Sequence, residues 1–72
     1  MKKKMRIEGM SCDHCVNHVK NALEEIDGVT EIFVDLDSKT ATFNVTDDVK
    51  DYDLKRAVEE AGYDVVNIEI II

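Results

Sequence analysis

The spacing of apolar residues along this chain switches between two periods, and each switch marks an element. Lys2–Glu8 alternates, with Met5 and Ile7 on one side and Lys4, Arg6 and Glu8 on the other. That two-residue period is the signature of a half-buried strand. Gly9–Asp13 breaks the alternation and reads as a loop. Val16, Val19, Leu23 and Ile26 then recur at helical spacing with Ala22 beside them, one apolar stripe on a helix of roughly three turns. Gly28 is its predicted stop. Residues 29–35 return to alternation. Ile32, Val34 and then Leu36 point inward, and Glu31, Phe33 and Asp35 point outward. Asp37–Lys39 is a turn, so the next run is expected to come back as a hairpin neighbour. There Ala41, Phe43 and Val45 alternate with Thr40, Thr42 and Asn44.

A second helix is predicted from an Asp51 N-cap. Its buried stripe is Leu54, Ala57, Val58 and Ala61, and Gly62 ends it. The last strand starts near Tyr63, with Val66, Ile68, Ile70 and Ile72 on one side and Asn67 and Glu69 on the other. Ile71 falls out of phase. It reads as one exposed isoleucine on a terminal strand, or as a residue that pairs chains or leads into a longer polypeptide. The order β-α-β-β-α-β implies an α+β, ferredoxin-like sandwich: two helices on one face of a four-stranded antiparallel sheet. The other face must tolerate water, which the alternating polar residues allow. The 72 residues are expected to form one small domain, 1–72, of modest stability.

Composition narrows the function. The apolar fraction of 44% is that of an ordinary globular protein and argues against disorder. Sixteen acidic against nine basic residues leave a net charge of -7. This argues against a nucleic-acid binder, which neutralises phosphates with Lys and Arg. It suits docking on a positively charged partner, although solubility alone explains it. The basic start MKKKMRIEGM has no apolar stretch behind it, so no secretory signal is expected. No run approaches the ~18 apolar residues of a membrane span. The expected location is cytoplasmic without membrane insertion, though an excised domain of a membrane protein would read the same way.

The two cysteines stand together in GMSCDHC, at Cys12 and Cys15. A structural disulfide, a redox pair and a metal clamp all use this spacing. In the cytosol, metal binding or catalysis is the commoner use. A thioredoxin-like site would need a longer chain and a turn proline, and this chain has no proline. The loop-to-helix junction places Cys12 before the first helix and Cys15 in its first turn. Free backbone N–H groups and the helix dipole there favour thiolate over thiol. Soft thiolates select Cu(I) or Hg(II) and also suit zinc. A structural zinc site wants four ligands, and there is no second cysteine pair, so a near-linear two-thiolate Cu(I) site fits the count better. No array of acid, base and nucleophile points to an enzyme.

Gly9-Met10-Ser11-Cys12-Asp13-His14-Cys15, the helix VNHVKNAL, Gly28-Val29 and Gly62-Tyr63 together resemble the heavy-metal-associated domain family, in particular its bacterial copper chaperones and the matching N-terminal domains of copper-exporting P-type ATPases. The resemblance covers essentially the whole chain. It implies one Cu(I) held by Cys12 and Cys15 and passed by thiolate exchange to a like domain, such as that of a copper-transporting P-type ATPase. It leaves as alternatives such an ATPase domain itself, a mercury carrier, or a domain for Zn(II) or Cd(II), with Asp13 near an added carboxylate. A protein-interaction module that binds no metal is the reading from a different class. Copper bridging four thiolates would give a metal-linked homodimer. The acidic surface departs from the basic one of some family chaperones, and the isoleucine-rich end is unusual for the family.

The neighbours of the cysteines carry their own expectations. Met10 has a soft thioether, but the family tends to turn this residue inward as a loop anchor. Gly9 permits the loop's turn, and Ser11 caps the helix or bonds a loop amide. Asp13 either favours the helix start or attracts a basic partner. His14 is expected to face solvent and tune the site, or else to add a third or bridging ligand. His18, one turn on, is an ordinary surface residue or half of a weak secondary Zn(II) or Cu(II) site with His14. Tyr63 follows the family's bacterial pattern; it shields the metal and donates toward a sulfur, or simply packs the helix–strand corner. Acidic residues such as Glu24, Glu25, Glu59 and Glu60 are solvated ends, some of them a docking rim.

Overall fold

The computed structural model describes residues 1–71, so the expectation placed on Ile72 lies outside the described residues. The elements run β1 (Lys2–Glu8), α1 (Asp13–Glu24), β2 (Val29–Asp35), β3 (Thr40–Val45), α2 (Asp51–Glu60) and β4 (Asp64–Ile70). The four strands form one sheet in the order β2-β3-β1-β4, every pair antiparallel. This is the ferredoxin-like arrangement that the alternation and the two helical stripes imply. β1 lies between β3 and β4, and its Met5 and Ile7 are fully buried. They meet Ala41, Phe43 and Val45 of β3, Val19 and Leu23 of α1, and Leu54 and Val58 of α2 in one core. Ala57 and Ala61 of the second stripe are half-buried.

The departures from simple alternation have local causes. On β2, Val29 is buried but the next inward residues are Ile32 and Val34, a change of phase. The chain absorbs it with a bulge. Pairing jumps from Thr30↔Asn44 to Phe33↔Thr42, and Glu31 takes a left-handed φ of 52°. β4 has a similar irregularity: Ile7 faces Val65 while Arg6 faces Asn67, leaving Val66 as the extra residue. Val65 therefore takes the inward place expected of Val66, which is 53% exposed. Ile68 packs on the core as expected, but Ile70 is 64% exposed and Ile71 is exposed too.

Helix ends also shift. α1 stops at Glu24 with Glu25 as C-cap, so Gly28 is the turn into β2 and does not end the helix; Ile26 packs on the core from beyond the helix end. The N-cap of α2 is Lys50, not Asp51. Asp51 is instead the first helical residue, and its carboxylate accepts a hydrogen bond from the Lys3 ammonium at 2.5 Å. Lys3 points to the helix side of β1 and is only 7% exposed, a burial that its charge made unreadable beforehand. The pairing with Asp51 is what makes it tolerable.

Gly62 does end α2, with φ 102°. Its amide bonds the Glu59 carbonyl at 3.0 Å and the Tyr63 amide bonds the Val58 carbonyl at 3.3 Å, the two-bond Schellman turn. Gly28 is the most constrained glycine. Its φ is 97°, and a Cβ there would lie 2.5 Å from Thr46 Oγ1 and 3.0 Å from Val49 Cγ2. Gly28→Ala is therefore expected to destabilise the fold by about 2–4 kcal/mol, from left-handed strain plus overpacking. Urea unfolding checks it; a loss below the noise would mean that the turn relaxes freely.

Candidate metal centre

The loop after β1 leaves the core and returns to it within a few residues. Met10 is 5% exposed and belongs to the buried cluster, so its thioether is sunk in the core and away from the surface. Cys12 follows as the N-cap of α1 in extended conformation, with no side chain capping the helix. Ser11 does not cap it: the hydroxyl lies 4.0 Å from the Cys15 sulfur. Cys15 is in the first turn, its amide bonded to the Cys12 carbonyl at 3.0 Å. The two sulfurs are 3.7 Å apart, both free thiols, Cys12 exposed and Cys15 half-buried.

The environment favours thiolate at Cys15. Its pKa is lowered from the ordinary 9.0 to about 6, first by the Ser11 main-chain amide, then by the Tyr63 hydroxyl. Partial burial opposes the shift, and the Cys12 thiol and amide add to it. Tyr63 is pushed up to about 12, chiefly because its hydroxyl proton is engaged by Cys15. The Schellman turn delivers Tyr63 here, and a Cβ on Gly9 would lie 3.6 Å from its ring, so the tyrosine closes over the loop.

The other expected neighbours are not drawn to the sulfurs. Asp13 lies exposed in the first turn of α1, where its charge complements the dipole. His14 is exposed. His18 is exposed as well, but it is more than a surface residue: Nδ1 is 3.1 Å from the Tyr63 hydroxyl. That link spans α1 and the end of α2, and no pattern in the sequence signals it. Among the described residues, no group of three or more His, Cys, Asp and Glu side chains converges on one point. What the residues form is an exposed, two-sulfur site with a low-pKa thiol and an aromatic cover.

Residues 4–64 match the model of the heavy-metal-associated domain. A copper chaperone CopZ from Staphylococcus haemolyticus (strain JCSC1435) is 44% identical over 64 residues, 88% of this chain and 94% of that one. Among solved structures, a CopZ metallochaperone is similar with TM-score 0.87 at 40% identity, covering 92% of this chain and 100% of the other. The N-terminal domain of a potential copper-translocating P-type ATPase from Bacillus subtilis, in a Cu(I)-loaded state, reaches 0.81 at 31% identity, covering 96% and 84%.

The Cys15 shift sets a pH dependence. Thiolate absorbance of the reduced, metal-free protein is expected to rise through pH about 6. Tyr63→Phe removes a donor to the thiolate, so the midpoint should move up; an unmoved midpoint would mean that the hydroxyl does not reach the sulfur. Because the folded value is below the unfolded one, the unfolded chain binds more protons between about 6 and 9.0. Stability should therefore rise with pH across that window and be lost as pH falls through 6, which thermal melts at several pH values would register.

Proposed function

The chain belongs to the heavy-metal-associated domain family, and on that premise we propose that it is a carrier of Cu(I), held by Cys12 and Cys15 and handed to a metal-binding domain of a P-type ATPase. The observation that carries the reading is the exposed sulfur pair, 3.7 Å apart, at the start of α1. Two soft thiolates favour a soft monovalent ion. A structural zinc site wants four ligands, and the described residues bring no third His, Cys, Asp or Glu to the pair. The likeness to copper chaperones and to a Cu(I)-loaded ATPase domain supports copper as cargo and such a domain as recipient.

The geometry suggests how transfer proceeds. With sulfur–metal bonds of about 2.3 Å, the observed pair subtends about 107° at the ion. A linear two-coordinate ion needs the sulfurs to part to about 4.6 Å. Of the two, Cys12 is the sulfur placed to make that movement, being exposed and outside the core cluster. The bent arrangement leaves the outer side of the ion open to a third thiolate from the recipient. The incoming sulfur bonds first, one resident sulfur then leaves, and the ion never enters water. Tyr63 covers the inner side and steadies charge on Cys15 by hydrogen bonding.

An anaerobic Cu(I) titration of the reduced protein against a competing chromophoric chelator, repeated with Zn(II), Cd(II) and Hg(II), tests this. One Cu(I) per chain, far tighter than Zn(II), is the expected result. Loss of an inner ligand should exceed the 10–100-fold effect of outer-shell changes, so Cys12→Ser or Cys15→Ser should weaken binding by more than about 100-fold, and Tyr63→Phe by about 10-fold. Zn(II) binding tighter than Cu(I), or full Cu(I) affinity in the double serine variant, would overturn the reading.

A further inference from the structure

Cys15 and His18 stand three residues apart on α1, so they are neighbours on one helix face. The hydroxyl of Tyr63, carried in from the end of α2, meets both. It is 3.1 Å from His18 Nδ1, and its proton is engaged by Cys15. The imidazole and phenol rings are 6.5 Å apart and tilted by 42°, so they do not stack, and the hydrogen bond is the contact between them. His18 also lines the groove between α1 and α2 that holds Glu25 and Glu60, yet no carboxylate among the described residues is within ion-pairing distance of it. Its orientation is therefore tied to Tyr63. Donor counting fixes the direction of both contacts. A thiolate donates nothing, and the phenol has one proton. With Cys15 ionised, the Tyr63 proton goes to sulfur, and toward His18 the phenol oxygen can then only accept. Neutral imidazole carries its proton on either nitrogen. Nδ1–H is the tautomer that makes both bonds; the other would present a lone pair to the phenol and draw its proton away from sulfur.

We propose that His18 is a positioning residue of the sulfur pair, whose Nδ1–H holds the Tyr63 hydroxyl in place to donate to Cys15. Imidazole, phenol and sulfur form one chain of hydrogen bonds, in which each bond polarises the next. The chain makes the two sulfurs unequal. Cys15 is half-buried and covered at its end, while Cys12 is exposed and outside it. A thiolate that accepts a hydrogen bond is less basic, and so a weaker nucleophile, than a bare one. His18 thus restrains the reactivity of Cys15 without touching it. The inference rests on the sulfur pair as the working site of the proposed carrier. Every readout that tests it is taken without metal, so the copper reading can fail while this one stands.

The test uses the full chain, reduced and metal-free in the presence of a chelator, at a pH well above the Cys15 value of about 6. Initial rates of Cys15 alkylation by iodoacetamide are mapped by mass spectrometry. His18→Ala, at an exposed helix position, should raise that rate about threefold, the change given by a tenfold gain in thiolate basicity at a Brønsted slope of about 0.5. His18→Asn should return the rate to that of the wild type, because its carboxamide nitrogen is attached at Cγ as Nδ1 is and still donates. In a Tyr63→Phe background, His18→Ala should change nothing further, an outcome that neither a local loss of helix structure nor a direct effect of the imidazole on sulfur would give. Long-range proton–nitrogen NMR correlations of the wild type should place the His18 proton on Nδ1. A His18→Ala rate no higher than that of the wild type would overturn the proposal. So would an acceleration of the same size in the Tyr63→Phe background, or an Nδ1 that carries no proton.

Discussion

The position of the sulfur pair depends on the burial of one side chain beside it, Met10. Met10 sits in the same core as Met5 and Ile7 of β1 and Val19 and Leu23 of α1. Full burial of such a residue stabilises by about 1.5–3 kcal/mol. It pins the loop at one end, while the apolar face of α1 pins the other. Between these anchors Cys15 packs partly against the core, while Cys12 stays exposed. The same burial removes the thioether from contention as a ligand.

The start of α1 gives up ordinary stabilisation for reactivity. A Ser, Thr, Asp or Asn at the N-cap would accept a hydrogen bond from the first turn, worth about 1 kcal/mol. Here the N-cap is Cys12, and no side chain caps the helix, although Ser11 stands one residue away. The amides of the loop and first turn are left to act on sulfur, and the Ser11 amide is the largest influence on Cys15. Tyr63 completes the site from the far end of the chain. Its hydroxyl has one proton. If that proton is donated to Cys15, the contact with His18 must use the histidine's own Nδ1–H, so the imidazole orients the tyrosine from outside.

Charge is distributed unevenly over the fold. The chain is acidic overall, yet β1 alone carries Lys2, Lys3, Lys4 and Arg6. Lys4 and Arg6 face the uncovered side of the sheet, and Lys3 reaches under α2 to Asp51. The ion pair ties the central strand to the start of the second helix at a point where an apolar pair would serve packing as well.

Much of this was legible in the sequence. Period-two and period-3.6 spacing located the strands and helices, because each element must turn one apolar face to a shared core. The CxxC pair at a loop–helix junction marked the candidate site, because helix starts expose donors to whatever side chain is there. Sequence could not show the phase of β4. Val65 and Val66 are chemically equivalent, and only the register against Ile7 and Arg6 decided which of them faced inward. Nor could it show that Lys3 is buried or that His18 reaches Tyr63, since their partners lie 48 and 45 residues away along the chain. Contacts of that range exist only once the sheet and both helices have closed on one core, and so the tertiary structure alone settled them.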